Sequence, residues 1–198
     1  MNRRGLSDQT RKIRELNALI ETHLDSVEVL EDALEGAESP EVRQAVQAMH
    51  RDHQHAAIRL QTRVRELGGT PATGPHATNK LKEAWQAMWE GGGDEAVLMA
   101  LRANERVAVD GFKAQLLKEG MIQTMTGEGL REHREALEME LRHFQRETDL
   151  LRERGVAVDN DEMMGAVRNA VEHLYAALNL SGTAVEAFLK YATGTASR

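Results

Sequence analysis

Residues 41–67 read EVRQAVQAMHRDHQHAAIRLQTRVREL, with neither proline nor glycine from one end to the other. Val42, Val46, Met49, His53, Ala56, Leu60, Val64 and Leu67 repeat at helical spacing, so one face of a long helix is apolar and one histidine sits inside it. A stripe of this length cannot stay in water. It requires at least one further long helix of the same kind to cover it, and this demand limits the fold more than any other stretch does.

The chain supplies such partners. Ile13, Leu16, Ile20, His23, Val27, Leu30 and Leu34 form a stripe over a helix expected from about residue 8 to about residue 34. Ser39 followed by Pro40 and Glu41 is an N-cap with proline at the first helical position. The first two helices are therefore joined by a short link and predicted to fold back as an antiparallel hairpin. Further on, Val97, Leu98, Leu101, Glu105, Ala108, Phe112, Gln115 and Leu116 mark a third helix, with Asp94 as its expected cap. Leu130, Leu137, Leu141, Phe144, Thr148 and Leu151 mark a fourth, flanked by Glu140 and ended by Gly155. A fifth is expected from residue 161 to 178, with Met164, Val167, Ala170, Val171, Leu174 and Leu178 on one side. A short last helix should follow Ser181.

Between the two hairpins lies GGTPATGPHAT (residues 68–78), then a short expected helix at 80–90 with Trp85 and Trp89 one turn apart. The order is hairpin, long crossover, hairpin. The expected fold class is all-α: a ferritin-like antiparallel four-helix bundle with a long crossover between two helical hairpins. The expected organisation is a flexible N-terminus at 1–7 and the bundle at 8–154, its crossover and short helix at 68–93. A helical extension at 155–192 and a tail at 193–198 complete it.

Composition narrows the function. With 41% hydrophobic residues and 4% aromatic, the chain is rich in helix formers. Its 32 acidic and 25 basic side chains are interspersed and leave a net charge of −7, so no nucleic-acid partner is expected. No apolar run approaches the roughly 20 residues that span a bilayer. Neither a membrane nor a secretory leader is expected, and a cytoplasmic location is. There is no cysteine, hence no disulfide and no thiolate ligand. No HExxH, GxSxG or phosphate-loop pattern is present.

The chemistry lies in the polar residues set on apolar stripes. His23, His50, His53, Glu105 and Glu140 come from four helices. At about 1.5 Å per residue, the members of each hairpin come level within roughly a turn. Carboxylates and imidazoles meeting at such a level suit iron or manganese, and histidine also accepts zinc. Asp52, His55 and His143 are secondary candidates, because helical geometry turns them off the expected stripes. His133 is expected near the surface at a helix start. The alternative is a metal-free polar layer in which carboxylates pair with imidazoles. A two-metal centre wants more inward carboxylates than these stripes offer. That shortage favours a helical scaffold or interaction protein, with Trp85 and Trp89 or residues 161–191 as a surface for a protein partner.

LNALIET at residues 16–22, together with residues 64–67 followed by Gly68-Gly69-Thr70-Pro71, resembles a family of uncharacterised bacterial four-helix-bundle proteins of the ferritin-like superfamily. The resemblance continues through a tryptophan-containing connector at 81–89 to a third-helix glutamate matched by Glu105. It covers residues 9–125 by motif. It implies a ferritin-like fold and, by analogy with that fold, a homo-oligomer (a dimer or larger), while a stress-associated role is expected as the alternative to the scaffold or interaction role. The wider resemblance to rubrerythrin-like proteins implies a metal-binding glutamate seven residues before an aromatic on the first helix, and here those slots hold His23 and Leu30.

Overall fold

The computed structural model describes residues 3–74, 93–117 and 126–177. Among them the fold is all-α: α1 (Arg3–Gly36), α2 (Pro40–Glu66), α3 (Gly93–Leu117), α4 (Gly127–Glu153) and α5 (Asp161–Ala177), with no strand. The connectivity is that of an antiparallel four-helix bundle with a crossover. The chain divides into two compact units, Met1–Leu101 and Arg102–Arg198. The expected crossover helix with Trp85 and Trp89, His76, and the last short helix lie outside the described residues.

In the first unit, α1 and α2 pack along their length as an antiparallel hairpin. Leu16, Leu19, Ile20, Leu30 and Ala33 of α1 are buried, as are Val42, Val46, Met49, Leu60 and Val64 of α2. α1 begins at Arg3, five residues before the expected start at residue 8. Its buried face is also turned: Val27 and Leu34 are half-buried, while Leu19, Ser26 and Val29 point inward. Ser39 caps α2 as its spacing predicts, its side chain accepting from Val42 N at 3.3 Å. Arg43 answers at the other side of the link by donating to Leu34 O and Ala37 O, carbonyls at the end of α1. α3 begins at Gly93, so Asp94, the expected cap, stands inside its first turn. Its carboxylate accepts from Glu38 N at 2.8 Å and Ser39 N at 3.1 Å, which ties the first turn of α3 to the α1–α2 link.

The end of α2 explains why LNALIET and LGG-x-P occur together. Gly68 takes the left-handed conformation (φ +72°). Gly68 N then bonds Arg65 O at 2.8 Å, and Gly69 N bonds Val64 O at 2.9 Å, a Schellman closure. The chain that emerges is held by Asn17, whose Nδ2 donates to Thr70 O at 3.0 Å while its Oδ1 accepts from Ala72 N at 2.9 Å. Gln9 donates to Leu67 O nearby. A polar residue inside the first motif thus satisfies the loop created by the second.

In the second unit, Arg102 meets Thr148 and Glu105 meets His143, so α3 and α4 run antiparallel. α4 starts at its cap Thr126, which accepts from Gly129 N at 3.0 Å, and is followed by another left-handed glycine, Gly155 (φ +79°). α5 returns against α4 and buries Met163, Val167, Ala170 and Val171. Met163 faces inward where Met164 was expected to, and Met164 is half-buried.

Candidate metal centre

α4 is the element that builds the site. Glu140, His143 and Glu147 fall at i, i+3 and i+7 and therefore share one helical face. All three are buried, Glu140 and Glu147 completely. From α3, Glu105 enters the same layer at 1% exposure. Its Oε1 lies 3.8 Å from His143 Nδ1, within ion-pair reach but too far for a hydrogen bond. One ligand atom from each of Glu105, Glu140 and His143 lies within 4.8 Å of the others. Bonds of about 2.0–2.2 Å to a single ion place donor atoms at most about 4.4 Å apart, so a spread of up to 4.8 Å closes around one cation with shifts of a few tenths of an ångström.

The electrostatics of the layer are unfavourable as it stands. Glu105 Oε2 and both oxygens of Glu140 and of Glu147 meet no hydrogen-bond donor among the described residues. Burial pushes the Glu105 carboxyl well above the ordinary carboxylate range, and repulsion from Glu140 and Glu147 adds to this. Glu147 is raised well above the usual value by burial, against the pull of Arg102 and with the push of Glu140. Carboxylates placed this close repel one another. Buried, unpartnered carboxylates cost several kcal/mol each unless protonated or bound by a cation.

Arg102 lies beside this layer. Its guanidinium donates to Thr148 Oγ1, to Asp159 O at 3.0 Å and to Asn160 Oδ1 at 3.0 Å. It also lies 4.0 Å over the Phe144 ring. Burial lowers its pKa while Glu147 supports its charge.

Within each unit the sequence-predicted residues are placed as follows. Glu105 and Glu140 come together, and His143 joins them. His143 is 5% exposed, which corrects its expected place off the stripe: the buried face of α4 is wide enough to include it. In the first unit His23 and His53 are both buried and their Nδ1 atoms lie 3.1 Å apart. A hydrogen bond there needs one ring to donate and the other to accept. His50 is half-buried, with Nε2 3.3 Å from Glu31. Asp52 and His55 are exposed. His133 is 2% exposed, not at the surface as expected; Nδ1–H donates to Gly129 O at 2.8 Å, one turn back on α4. Burial holds its imidazole below the usual pKa, and that hydrogen bond works the other way.

Sequence reasoning missed Glu147 and Arg102. The signal for Glu147 was available: Glu140-x-x-His143-x-x-x-Glu147 repeats the helical period in polar residues. A charged residue on an apolar stripe usually marks the rim, and only the packing shows that this one is inside.

The family model described as Domain of unknown function (DUF2383) matches residues 11–118, more than half of the chain. Both motifs, at residues 16–22 and 67–71, fall within the match, as does Glu105. No curated protein and no solved structure matches the chain.

Proposed function

Because the chain belongs to the DUF2383 family, whose description assigns no chemistry, we propose a function from its buried cluster: binding of a divalent transition-metal cation, iron or manganese, by Glu105, Glu140 and His143. The observation that carries this reading is the set of buried carboxylate oxygens without a donor. Such a layer is costly when vacant and neutral when a cation sits in it. Carboxylate oxygens with one imidazole suit iron and manganese, and the lack of thiolates disfavours soft ions. The scaffold reading drawn from the sequence rested on too few inward carboxylates for two metals, a shortage that does not bar a single ion held by Glu105, Glu140 and His143. Membership of the ferritin-like superfamily is part of the same proposal, supported by the hairpin–crossover–hairpin connectivity and by the Glu-x-x-His pair on α4.

A bound metal would supply Lewis-acid or one-electron chemistry. The chain's own residues would hold the ion, and Glu105 would release its proton to solvent as the ion binds. The test is elemental analysis of untagged protein from cells grown with added iron and manganese, beside the Glu105→Gln and Glu140→Gln variants. Metal bound to the wild-type chain and lost from folded variants is expected. Equal metal content in all three refutes the assignment. The sequence-based nomination of His53 is put to the same measurement with His53→Ala. Lower metal content supports it, and unchanged content confines the ligands to Glu105, Glu140 and His143.

A further inference from the structure

Arg102 is an unusual neighbour for a cation site. It is 8% exposed, and its N–H groups are directed to neutral acceptors: Thr148 Oγ1, Asp159 O and Asn160 Oδ1. A guanidinium keeps its charge under all ordinary conditions. The anion that charge acts upon is Glu147, fully buried, with neither oxygen hydrogen-bonded. The antiparallel pairing of α3 and α4 gives the polar layer two levels. Glu105, Glu140 and His143 form one. Arg102, one turn before Glu105 on α3, and Glu147, one turn after His143 on α4, form the next.

We propose that Arg102 takes the electrostatic place of a second cation, so that the centre holds one divalent ion and Glu147 serves as the counter-ion of Arg102, not as a ligand. The inference rests on the cation-binding reading above. Three buried carboxylates and one guanidinium leave two negative charges, which one divalent cation neutralises. A second divalent ion would add two uncompensated positive charges among side chains that are all buried. The hydrogen bonds of Arg102 also fix it to the link before α5, so the fixed charge cannot move aside without breaking them.

The experiment is a titration of the full chain with Mn(II), read by elemental stoichiometry and by the electron paramagnetic resonance of the bound ion. One Mn(II) per wild-type chain is expected, with the spectrum of an isolated ion. Arg102→Met leaves Glu147 uncompensated and should admit a second ion, giving a spin-coupled signal. Glu147→Gln should still bind one ion, about tenfold more weakly, because Arg102 then repels it unopposed. Combining the two changes removes one charge of each sign and should restore affinity to within about threefold of wild type, a double-mutant cycle with strong coupling. Two ions per wild-type chain, a folded Arg102→Met chain that holds only one, or a double variant as weak as Glu147→Gln would each overturn the inference. If Arg102→Met does not fold, wild-type stoichiometry and binding to Glu147→Gln decide the matter: one ion for each supports the inference, and loss of the ion from Glu147→Gln overturns it. No Mn(II) on the wild-type chain overturns the cation-binding reading itself, a result distinct from two.

Discussion

Glu105 and Glu147 make the metal-free protein sensitive to pH, and the sign follows from their environment. Each carboxyl has a folded pKa raised above its ordinary value of 4.5. Between that value and the folded one, the native state holds protons that the unfolded chain has released, so stability falls as pH rises. The metal-free chain should therefore melt at a lower temperature at about pH 8 than at about pH 5, and Glu105→Gln should flatten the slope. Melting curves of chelated protein across that range check this; a slope unchanged in Glu105→Gln would rule out Glu105 as its source. His133 acts with the opposite sign. Its imidazole is held neutral below the usual 6.5, so its contribution is complete above that value and is lost as pH falls through it. His133→Gln should remove that acid-side loss, seen as a higher relative stability near about pH 5.

At the scale of elements, the closure of α2 on α1 is the most testable piece of local structure. Asn17→Ala deletes both hydrogen bonds to the loop at Thr70 and Ala72 and should cost about 1–3 kcal/mol by urea denaturation. Gly69 has no room for a side chain, since a Cβ there would meet Ile13 side-chain carbons at 2.9 Å. Gly69→Ala should destabilise by about 1–3 kcal/mol, and Ile13→Ala in the same chain should recover part of the loss by opening that space. Additive losses in the double variant would show that the clash is not the cause. Ser39→Ala should cost about 1 kcal/mol through the lost cap on Val42 N.

For the whole molecule, a cation that binds only the folded chain adds to its stability by mass action. With free metal at a hundredfold above the dissociation constant, the gain is about 2.7 kcal/mol. Adding a chelator to metal-loaded protein should lower the melting temperature, and Glu105→Gln should abolish the difference. A chelator effect that persists in Glu105→Gln would place the stabilising ion elsewhere. Among the described residues no helix is long and apolar enough to cross a membrane, as the interspersed charges already indicated.

Period and punctuation determined the all-α class, the order of the helices and the short α1–α2 link, because apolar spacing, Ser39-Pro40 and Gly68-Gly69 act locally and need no knowledge of the fold. Glu105 and Glu140 were legible for the same reason, since charge on an apolar stripe stands out at once. The tertiary structure decided the rest. A helical face has no sharp edge, so whether His143, Glu147, Arg102 and His133 fall inside or at the rim depends on how broadly α3, α4 and α5 cover one another. That breadth is set by packing between residues distant in the chain. It turned a stripe with too few ligands into a buried layer with an excess of negative charge, and that excess is the basis for assigning it a cation.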